Sequence, residues 1–126
     1  MKMQADRPEG SNAITRHGPQ GVVVNGQEHR QSLLVPWRGD IVPWAVDSFE
    51  ALEEASFEAL AALEPELVIF GSGSRIRFPR PALLKALMAR RIGFETMDTP
   101  AACRTYNVLL GEGRAVVAAL LFERGG

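Results

Sequence analysis

Apolar runs near the N-terminus are separated by turn-forming residues. Three valines occupy 22–24, and Asn25-Gly26 directly after them is a favoured pair for a tight type I′ turn. A second apolar run ends in Leu33-Leu34-Val35. This pattern predicts an N-terminal β-hairpin over 22–35, preceded by a weaker strand at 13–17.

Helical spacing of apolar residues begins after Asp47. Phe49, Leu52, Leu60 and Leu63 follow one face of a helix. Asp47 could cap that helix, because Glu50 stands three residues later as in a capping box. We therefore predict a helix over 47–63. The remaining surface carries glutamates, which are typical of a solvated face.

The second half of the chain alternates between strand-like and helix-like segments. The apolar run at 66–70 suits a strand covered on both faces. Pro79 and Pro81 open a predicted second helix that ends near Gly93, and a short strand follows at 93–98. A third helix, capped by Asp98 or Thr99, is predicted to reach about residue 110, and 114–122 is a buried strand.

This order of elements predicts the fold class. Strand, helix, strand, helix, strand favours partly parallel strands joined by right-handed crossovers, and the hairpin adds antiparallel strands. We therefore expect an α/β protein with a central mixed β-sheet, helices packed on it and an N-terminal β-hairpin. Residues 1–12 are polar and predict a disordered tail, which leaves 13–126 as a single domain.

Composition excludes several classes of function. The chain has 126 residues, of which 46% are hydrophobic, and a net charge of −1, so no basic field would attract nucleic acid. No apolar run approaches the roughly 20 residues of a membrane span, and no secretory signal opens the chain. Two histidines and one cysteine show no zinc-site spacing. We expect no metal and a cytoplasmic location.

The sequence Gly71-Ser72-Gly73 ends an apolar run and is followed by Arg75, Arg77 and Arg80. It is not a dinucleotide fingerprint, because residue 76 is isoleucine where a third glycine is needed and the next helix begins several residues later. Two interpretations stay open. The glycines could form a strand-end turn, or the turn's backbone N–H groups and the arginines could bind a small anion.

The stretch 97–114 contains further candidates. Cys103 lies in the first turn of the third helix, where the helix dipole lowers a thiol pKa, but neither histidine is near in sequence. A packed small residue is therefore the simpler interpretation of Cys103. A hydrogen-bonded, buried hydroxyl is the simpler one for Tyr106. Asn107 has poor propensity in mid-helix, which indicates a specific hydrogen bond, either within the fold or to a ligand.

The motifs LVIFGSGSRIRFP and GFETMDTPAACRTYNVLLGEGRAVVAALL, within about 14–122, resemble a family of domains of unknown function from bacteria, archaea and mitochondria. That family includes mitochondrial complex I assembly factor three and a vertebrate adipogenesis-associated protein. Many members have Gly-Thr-Gly where this chain has Gly71-Ser72-Gly73. The resemblance implies a compact α/β fold, no known cofactor, no established catalysis and a role through protein contacts. The matching residues are Gly71, Gly73, Glu95, Met97, Asp98, Thr99, Tyr106, Asn107 and Arg114.

Three hypotheses follow. The first is a non-catalytic protein-interaction or assembly module, acting on unidentified protein partners as a monomer or weak homodimer. The second is an enzyme or sensor for a small anionic metabolite. The third is a fold with no ligand of its own. The second hypothesis would use Gly71, Ser72, Gly73, Arg75, Arg77, Asp98, Thr99, Tyr106 and Asn107. It gains support if Arg75, Tyr106 and Asn107 line one pocket beside the glycine turn.

Overall fold

The structure is a computed structural model that describes residues 10–123. Its strands are β1 Ile14–Gly18, β2 Gly21–Val24, β3 Gln27–His29, β4 Leu33–Pro36, β5 Val42–Pro43, β6 Leu67–Gly71, β7 Gly93–Met97 and β8 Val116–Leu120. Its α-helices are α1 Glu54–Ala61, α2 Lys85–Ala89 and α3 Thr99–Gly111. Short 3-10 helices occupy Phe49–Ala51 and Pro81–Leu84.

The central sheet has five strands in the order β5-β4-β8-β6-β7. Strand β6 runs parallel to both β7 and β8, whereas β4 runs antiparallel to β8 and β5 antiparallel to β4. The predicted mixed sheet is confirmed. Because β6, β7 and β8 are parallel, their carboxyl ends meet at one edge of the sheet, where Gly71 stands beside Met97 and Leu120.

The predicted hairpin forms at the predicted turn but with a different second strand. Asn25 and Gly26 both have positive φ, as a type I′ turn requires, and β2 pairs with β3 in a separate three-stranded sheet with β1. A two-residue turn fixes the register at once, so Val24 opposes Gln27. The run ending in Val35 belongs instead to β4, which pairs with β8 and is buried on both faces. Its continuous apolar character is explained by that double burial.

The predicted helix over 47–63 divides into two pieces. Ser48, not Asp47, caps the 3-10 helix, because its hydroxyl accepts a hydrogen bond from the Ala51 N–H at 3.2 Å. Leu52 is then extended, and Glu53 with Ser56 forms a capping box that starts α1. The capping signal after Asp47 therefore marked a short turn, and the longer helix has its own cap.

The predicted second helix is also shorter than expected. It consists of the 3-10 turn that begins at Pro81 followed by α2, and the chain reverses at Arg91, whose φ is 57°. Gly93 was expected to cap this helix but is the first residue of β7. A side chain there would bring its Cβ within 3.2 Å of the Leu67 side chain, so the glycine lets β7 approach β6.

The central sheet separates two apolar layers. Helix α3 and strands β1 and β2 cover one face, with Ile69, Val35 and Ala118 in the sheet beneath them. Helices α1 and α2 belong to the other layer, which contains Phe57, Phe70 and their neighbours. Successive residues of β6 and β8 alternate between the two layers. The order of layers places the first turn of α3 directly over the carboxyl end of β6.

The predicted tail lies mostly outside the described residues. Of its last members, Ser11 and Asn12 are buried, and the Asn12 N–H donates to the Trp37 carbonyl oxygen at 3.1 Å. The structured chain therefore includes these two residues.

Candidate functional site

The glycine turn, defined as Gly71 to Gly73, lies where β6 meets α3. A Cβ on Gly71 would lie 3.0 Å from the Thr99 Cα and 3.1 Å from the Ala102 Cβ. These contacts are closer than a side chain can normally make with a packed helix. Glycine is needed at position 71 because the first turn of α3 rests directly on the end of the strand.

Thr99 forms hydrogen bonds with Gly73 at the other end of the turn. The Gly73 N–H donates to the Thr99 hydroxyl oxygen at 2.9 Å, and the Thr99 N–H donates back to the Gly73 carbonyl oxygen at 2.8 Å. Gly73 has a φ of +109°, a value that favours glycine. Asp98 is the helix cap, because its carboxylate accepts from the Ala101 N–H at 2.9 Å. Of the two cap candidates, Asp98 caps α3 and Thr99 holds the turn.

Ser72 is fully buried, and its polar atoms form hydrogen bonds with other residues of the chain. Its hydroxyl donates to the Arg75 carbonyl oxygen and accepts from the Arg77 N–H, both at 2.8 Å. Its own N–H donates to the Met97 carbonyl oxygen at 2.9 Å. The backbone donors of Ser72 and Gly73, which an anion site would have used, are therefore occupied by the fold.

Arg77 points inward and joins three parts of the chain. Its guanidinium donates to the Ser72 carbonyl oxygen at 2.7 Å and to the Glu123 carboxylate at 2.8 Å. It also lies over the Phe49 ring, 4.8 Å from the centroid, in cation–π geometry. The hydrogen bond from Arg77, together with one from the Phe49 N–H at 2.9 Å, lowers the pKa of Glu123 below its usual value. Arg77 therefore has a structural role, because it connects Ser72, Glu123 and Phe49.

Arg75 differs from Arg77, because its side chain is exposed. Its positive charge contributes to lowering the pKa of Glu123, after the two hydrogen bonds. The residues that follow are unusual for a loop. Ile76 is 49% exposed and Phe78 is 70% exposed, whereas Pro79 is buried.

Tyr106 is buried two turns along α3 from the glycine turn. Its hydroxyl lies 2.7 Å from the Asn12 carbonyl oxygen and 3.1 Å from the Pro36 carbonyl oxygen, so it donates a hydrogen bond within the fold. Burial raises the pKa of Tyr106 well above its usual value. The side chain therefore stays neutral, and it positions the segment that precedes β1.

Asn107 also serves the N-terminal segment. Its side-chain amide donates to the Ile14 carbonyl oxygen at 2.7 Å, and its carbonyl oxygen accepts from the Ile14 N–H at 3.0 Å. The sequence indicated a specific hydrogen bond for this mid-helix asparagine, and the structure shows two, both made inside the chain.

The predicted site residues therefore fall into separate groups. Asp98 and Thr99 lie with the glycine turn, Arg75 lies on the exposed loop after it, and Tyr106 with Asn107 binds the start of β1. A cleft of about 500 Å³ opens beside the turn, and Gly73 and Thr99 are the predicted site residues that line it. Arg75, Tyr106 and Asn107 do not converge on one pocket. Binding of an anion stays a prediction.

Of the three remaining residues of the family pattern, Arg114 forms an ion pair within the fold. Arg114 donates to the Glu66 carboxylate at 2.7 Å, and the Ala115 N–H donates to its second oxygen at 3.1 Å. These bonds lower the pKa of Glu66 and join the starts of β6 and β8. Met97 packs at the edge of the α3 layer, and Glu95 is exposed on β7.

Cys103 is fully buried in the core beneath α3. Burial raises the pKa of its thiol to about 12, against a small opposing effect of Arg104, so it is an inert packing residue. Across 10–123, no three histidine, cysteine, aspartate or glutamate side chains are grouped so that they could hold a metal ion. In the same residues, no helix is both long and apolar enough to cross a bilayer.

Sequence reasoning missed the partners of Arg77 and the exposure of the loop. Glu123 and Phe49 are far from Arg77 in sequence, so no local pattern reveals their contact. The exposed residues had a usable signal. The alternation Arg-Ile-Arg-Phe at 75–78 is typical of a short extended segment, but no strand is formed there. Alternating apolar residues without a partner strand should have indicated side chains left in solvent.

Comparison with known proteins identifies the family of this chain. The chain belongs to the family described as protein of unknown function (DUF498/DUF598), whose sequence profile matches residues 14–121. Its fold is also that of solved bacterial relatives. A crystal structure from Bordetella parapertussis superposes with a TM-score of 0.85 at 33% identity, covering 92% of this chain and 100% of that one.

A second structure, from Bordetella pertussis, is described as a Mth938-like domain. It has a TM-score of 0.83 at 28% identity and covers 98% of this chain and 93% of its own. An uncharacterized protein of Rhodobacter capsulatus is 38% identical over 112 residues, covering 89% of this chain and 86% of its own length.

Two relatives with a stated role are mammalian proteins. NADH dehydrogenase [ubiquinone] 1 alpha subcomplex assembly factor 3 of Bos taurus is 39% identical over 116 residues, which is 90% of this chain. The human protein of the same name is 36% identical over 116 residues, again 90% of this chain. This chain spans 62% of the length of each of the two animal proteins.

Proposed function

We propose that this chain is a non-catalytic protein-binding module that takes part in assembling a respiratory NADH dehydrogenase. The observation that carries the proposal is the 39% identity, over 90% of the chain, to a protein named as an assembly factor for that enzyme. Identity at this level over nearly the whole domain indicates a common fold. The further step to a shared role is an inference by relationship.

The geometry of the glycine turn supports a binding role over a catalytic one. Ser72, Thr99 and Tyr106 have polar atoms that could do chemistry, and each is engaged in hydrogen bonds within the chain. Cys103 is buried with its pKa raised to about 12, so its thiol is not a ready nucleophile. When the buried polar groups of a protein form hydrogen bonds within its own fold, its surface is what remains to bind other molecules.

The proposal includes a cytoplasmic location and a monomer or weak homodimer as the working form. A module that meets newly made subunits before they join a complex needs surface left free for them. Sedimentation of the purified chain at several concentrations checks the oligomeric state. A tight dimer at the lowest concentration would contradict that part of the proposal.

Two measurements test the assembly role in the cell of origin. First, the gene is deleted, and fully assembled NADH dehydrogenase is quantified on native gels together with NADH oxidation by membranes. We expect both to fall and to return when the intact gene is supplied. Second, the tagged chain is captured from cells, and NADH dehydrogenase subunits are quantified against an unrelated tagged protein of similar size. Normal enzyme levels after deletion, with no enrichment of its subunits, would refute the role.

Binding of a small anionic metabolite stays a prediction of the sequence. The described geometry supports it less, since the N–H groups of Ser72 and Gly73 already donate to Met97 and Thr99. A thermal-shift panel of phosphorylated and carboxylated metabolites tests it, because a ligand at a hundred times its Kd adds about 2.7 kcal/mol of stability.

A further inference from the structure

The loop formed by residues 74–80, called the 74–80 loop, holds two large apolar side chains in solvent. Phe78 is 70% exposed and Ile76 is 49% exposed. Within 10–123 only two other large apolar residues, Met88 and Val108, are exposed to this degree, and both are on helices. Two such residues separated by one position are a concentrated apolar feature on a loop, where polar side chains are usual.

The exposure is not the result of a loose segment. Arg77, between the two apolar residues, points inward and is held by Ser72 and Glu123 at 2.7 and 2.8 Å. The Ser72 hydroxyl binds the loop backbone at Arg75 and again at Arg77, and Pro79 is buried. The loop is anchored at alternate positions, so Ile76 and Phe78 are presented outward. A surface already ordered loses less conformational entropy when it binds.

The apolar pair is flanked in sequence by two exposed cations. Arg75 and Arg80 are both exposed, and among the residues that the structure describes neither forms an ion pair. The charge of Arg77, by contrast, is balanced by Glu123. Because the whole chain carries a net charge of −1, this positive and apolar surface is a local feature. Aromatic residues and arginine are the residue types enriched where protein interfaces bind most strongly.

We propose that the 74–80 loop is a docking element for an acidic, apolar segment of a partner protein. Phe78 and Ile76 would insert among apolar side chains of that segment, and Arg75 and Arg80 would pair with its carboxylates. The inference rests on the proposed function, in which the chain works by binding proteins. Charge complementarity selects an acidic partner. A bilayer surface is the weaker occupant, since stable anchoring usually takes more than one small apolar insertion.

The first experiment selects binders from a displayed library of random 12-residue peptides, using the intact chain as the target. Selected peptides are synthesised and titrated against the chain and two loop variants, Phe78→Ser and the double variant Arg75→Glu with Arg80→Glu. The matched controls are Val108→Ser and Arg104→Glu, because both residues are exposed and belong to α3, outside the loop. Thermal unfolding of every variant confirms that it is folded.

We expect the peptides that depend on the loop to carry net negative charge and at least one large apolar residue. Each loop variant should weaken their binding at least about tenfold, the controls should change it less than about twofold, and added salt should weaken it. Failure to recover any peptide that depends on the loop overturns the proposal. The proposal is also overturned if the peptides that depend on the loop are neutral or basic. Two other results overturn it when no acidic peptide binds. One is loop-dependent binding to vesicles of phosphatidylserine and phosphatidylcholine, and the other is self-association that Phe78→Ser abolishes.

A second experiment separates this inference from the proposed function. The deletion strain is supplied with the intact gene, with each loop variant or with each control, and assembled NADH dehydrogenase is quantified. If the intact gene and the loop variants restore assembly equally, the docking surface is wrong and the assembly role survives. If the intact gene restores nothing, the assembly role fails, and the peptide titrations still decide whether the loop binds acidic segments.

Discussion

Asn107 binds Ile14 with both polar groups of its side-chain amide. The amide nitrogen donates to the Ile14 carbonyl oxygen at 2.7 Å, and the amide oxygen accepts from the Ile14 N–H at 3.0 Å. A neighbouring strand would make the same two bonds with an edge residue. Asn107 therefore joins α3 to β1, which is an edge of the three-stranded sheet.

Replacing Asn107 should loosen this junction. We expect Asn107→Ala to lower the free energy of unfolding by about 1 to 3 kcal/mol, because two backbone groups of Ile14 lose their partners. Asn107→Asp should lose at least as much, since a carboxylate cannot donate to the Ile14 carbonyl oxygen. Urea unfolding measures both, and the exposed Arg104→Gln is the control. A loss below about 0.5 kcal/mol for Asn107→Ala would show that the junction contributes little.

The hydroxyl of Ser72 should be required for the 74–80 loop to keep its shape. Ser72→Ala leaves the Arg75 carbonyl oxygen and the Arg77 N–H without the partner that they have at 2.8 Å. We expect a loss of about 1 to 3 kcal/mol in urea unfolding. Ser72→Thr keeps the hydroxyl, so it should lose less than Ser72→Ala. The reverse order of the two variants would mean that packing space, and not the hydroxyl, governs this position.

Any side chain at position 71 should lower the stability of the fold. In Gly71→Ala the new Cβ would stand 3.0 Å from the backbone of Thr99 and 3.1 Å from the Ala102 side chain, so α3 would have to move away from β6. Overpacking of this kind typically destabilises by about 1 to 3 kcal/mol. Gly111→Ala is the matched control, because nothing lies within 4 Å of a Cβ at that position. Equal stability of the two variants in thermal unfolding would contradict the close packing of α3 on the strand.

Cys103 should make stability fall at alkaline pH. Burial raises the pKa of its thiol from a usual value near 9.0 to about 12. Above pH 9 the unfolded thiol releases its proton while the folded one retains it, so the stabilisation is complete below pH 9 and is lost as pH rises toward 12. The loss is about 1.4 kcal/mol per pH unit in that window.

Comparison of the native chain with Cys103→Ala measures this effect. The free energy of unfolding of the variant should fall less steeply between pH 8 and pH 10, while the raised pKa of Tyr106 adds a similar decline to both proteins above about pH 10. A thiol-specific reagent provides an independent check at pH 8. It should modify Cys103 only on unfolding, and rapid reaction with the folded protein would mean that the thiol is accessible.

Local chemistry in the sequence was enough to predict several elements. The Asn25-Gly26 turn, the buried β6 and β8 and the cap and extent of α3 are all confirmed. Each depends on residues close together in the chain, such as a turn pair, an apolar run or a capping carboxylate followed by proline. The mixed sheet also followed, since alternating strands and helices leave few ways to bury both faces.

Only the tertiary structure shows which distant strands and residues of the chain pair with one another. The sequence could not show that β4 pairs with β8 across more than eighty residues, because its apolar run suits a hairpin strand as well as a central one. Nor could it show that Tyr106 and Asn107 bind residues 12–14, so their polar groups were candidates for a ligand. Hydrogen-bonding capacity is a property of a residue, whereas its satisfaction depends on which distant backbone groups the fold brings within about 3 Å.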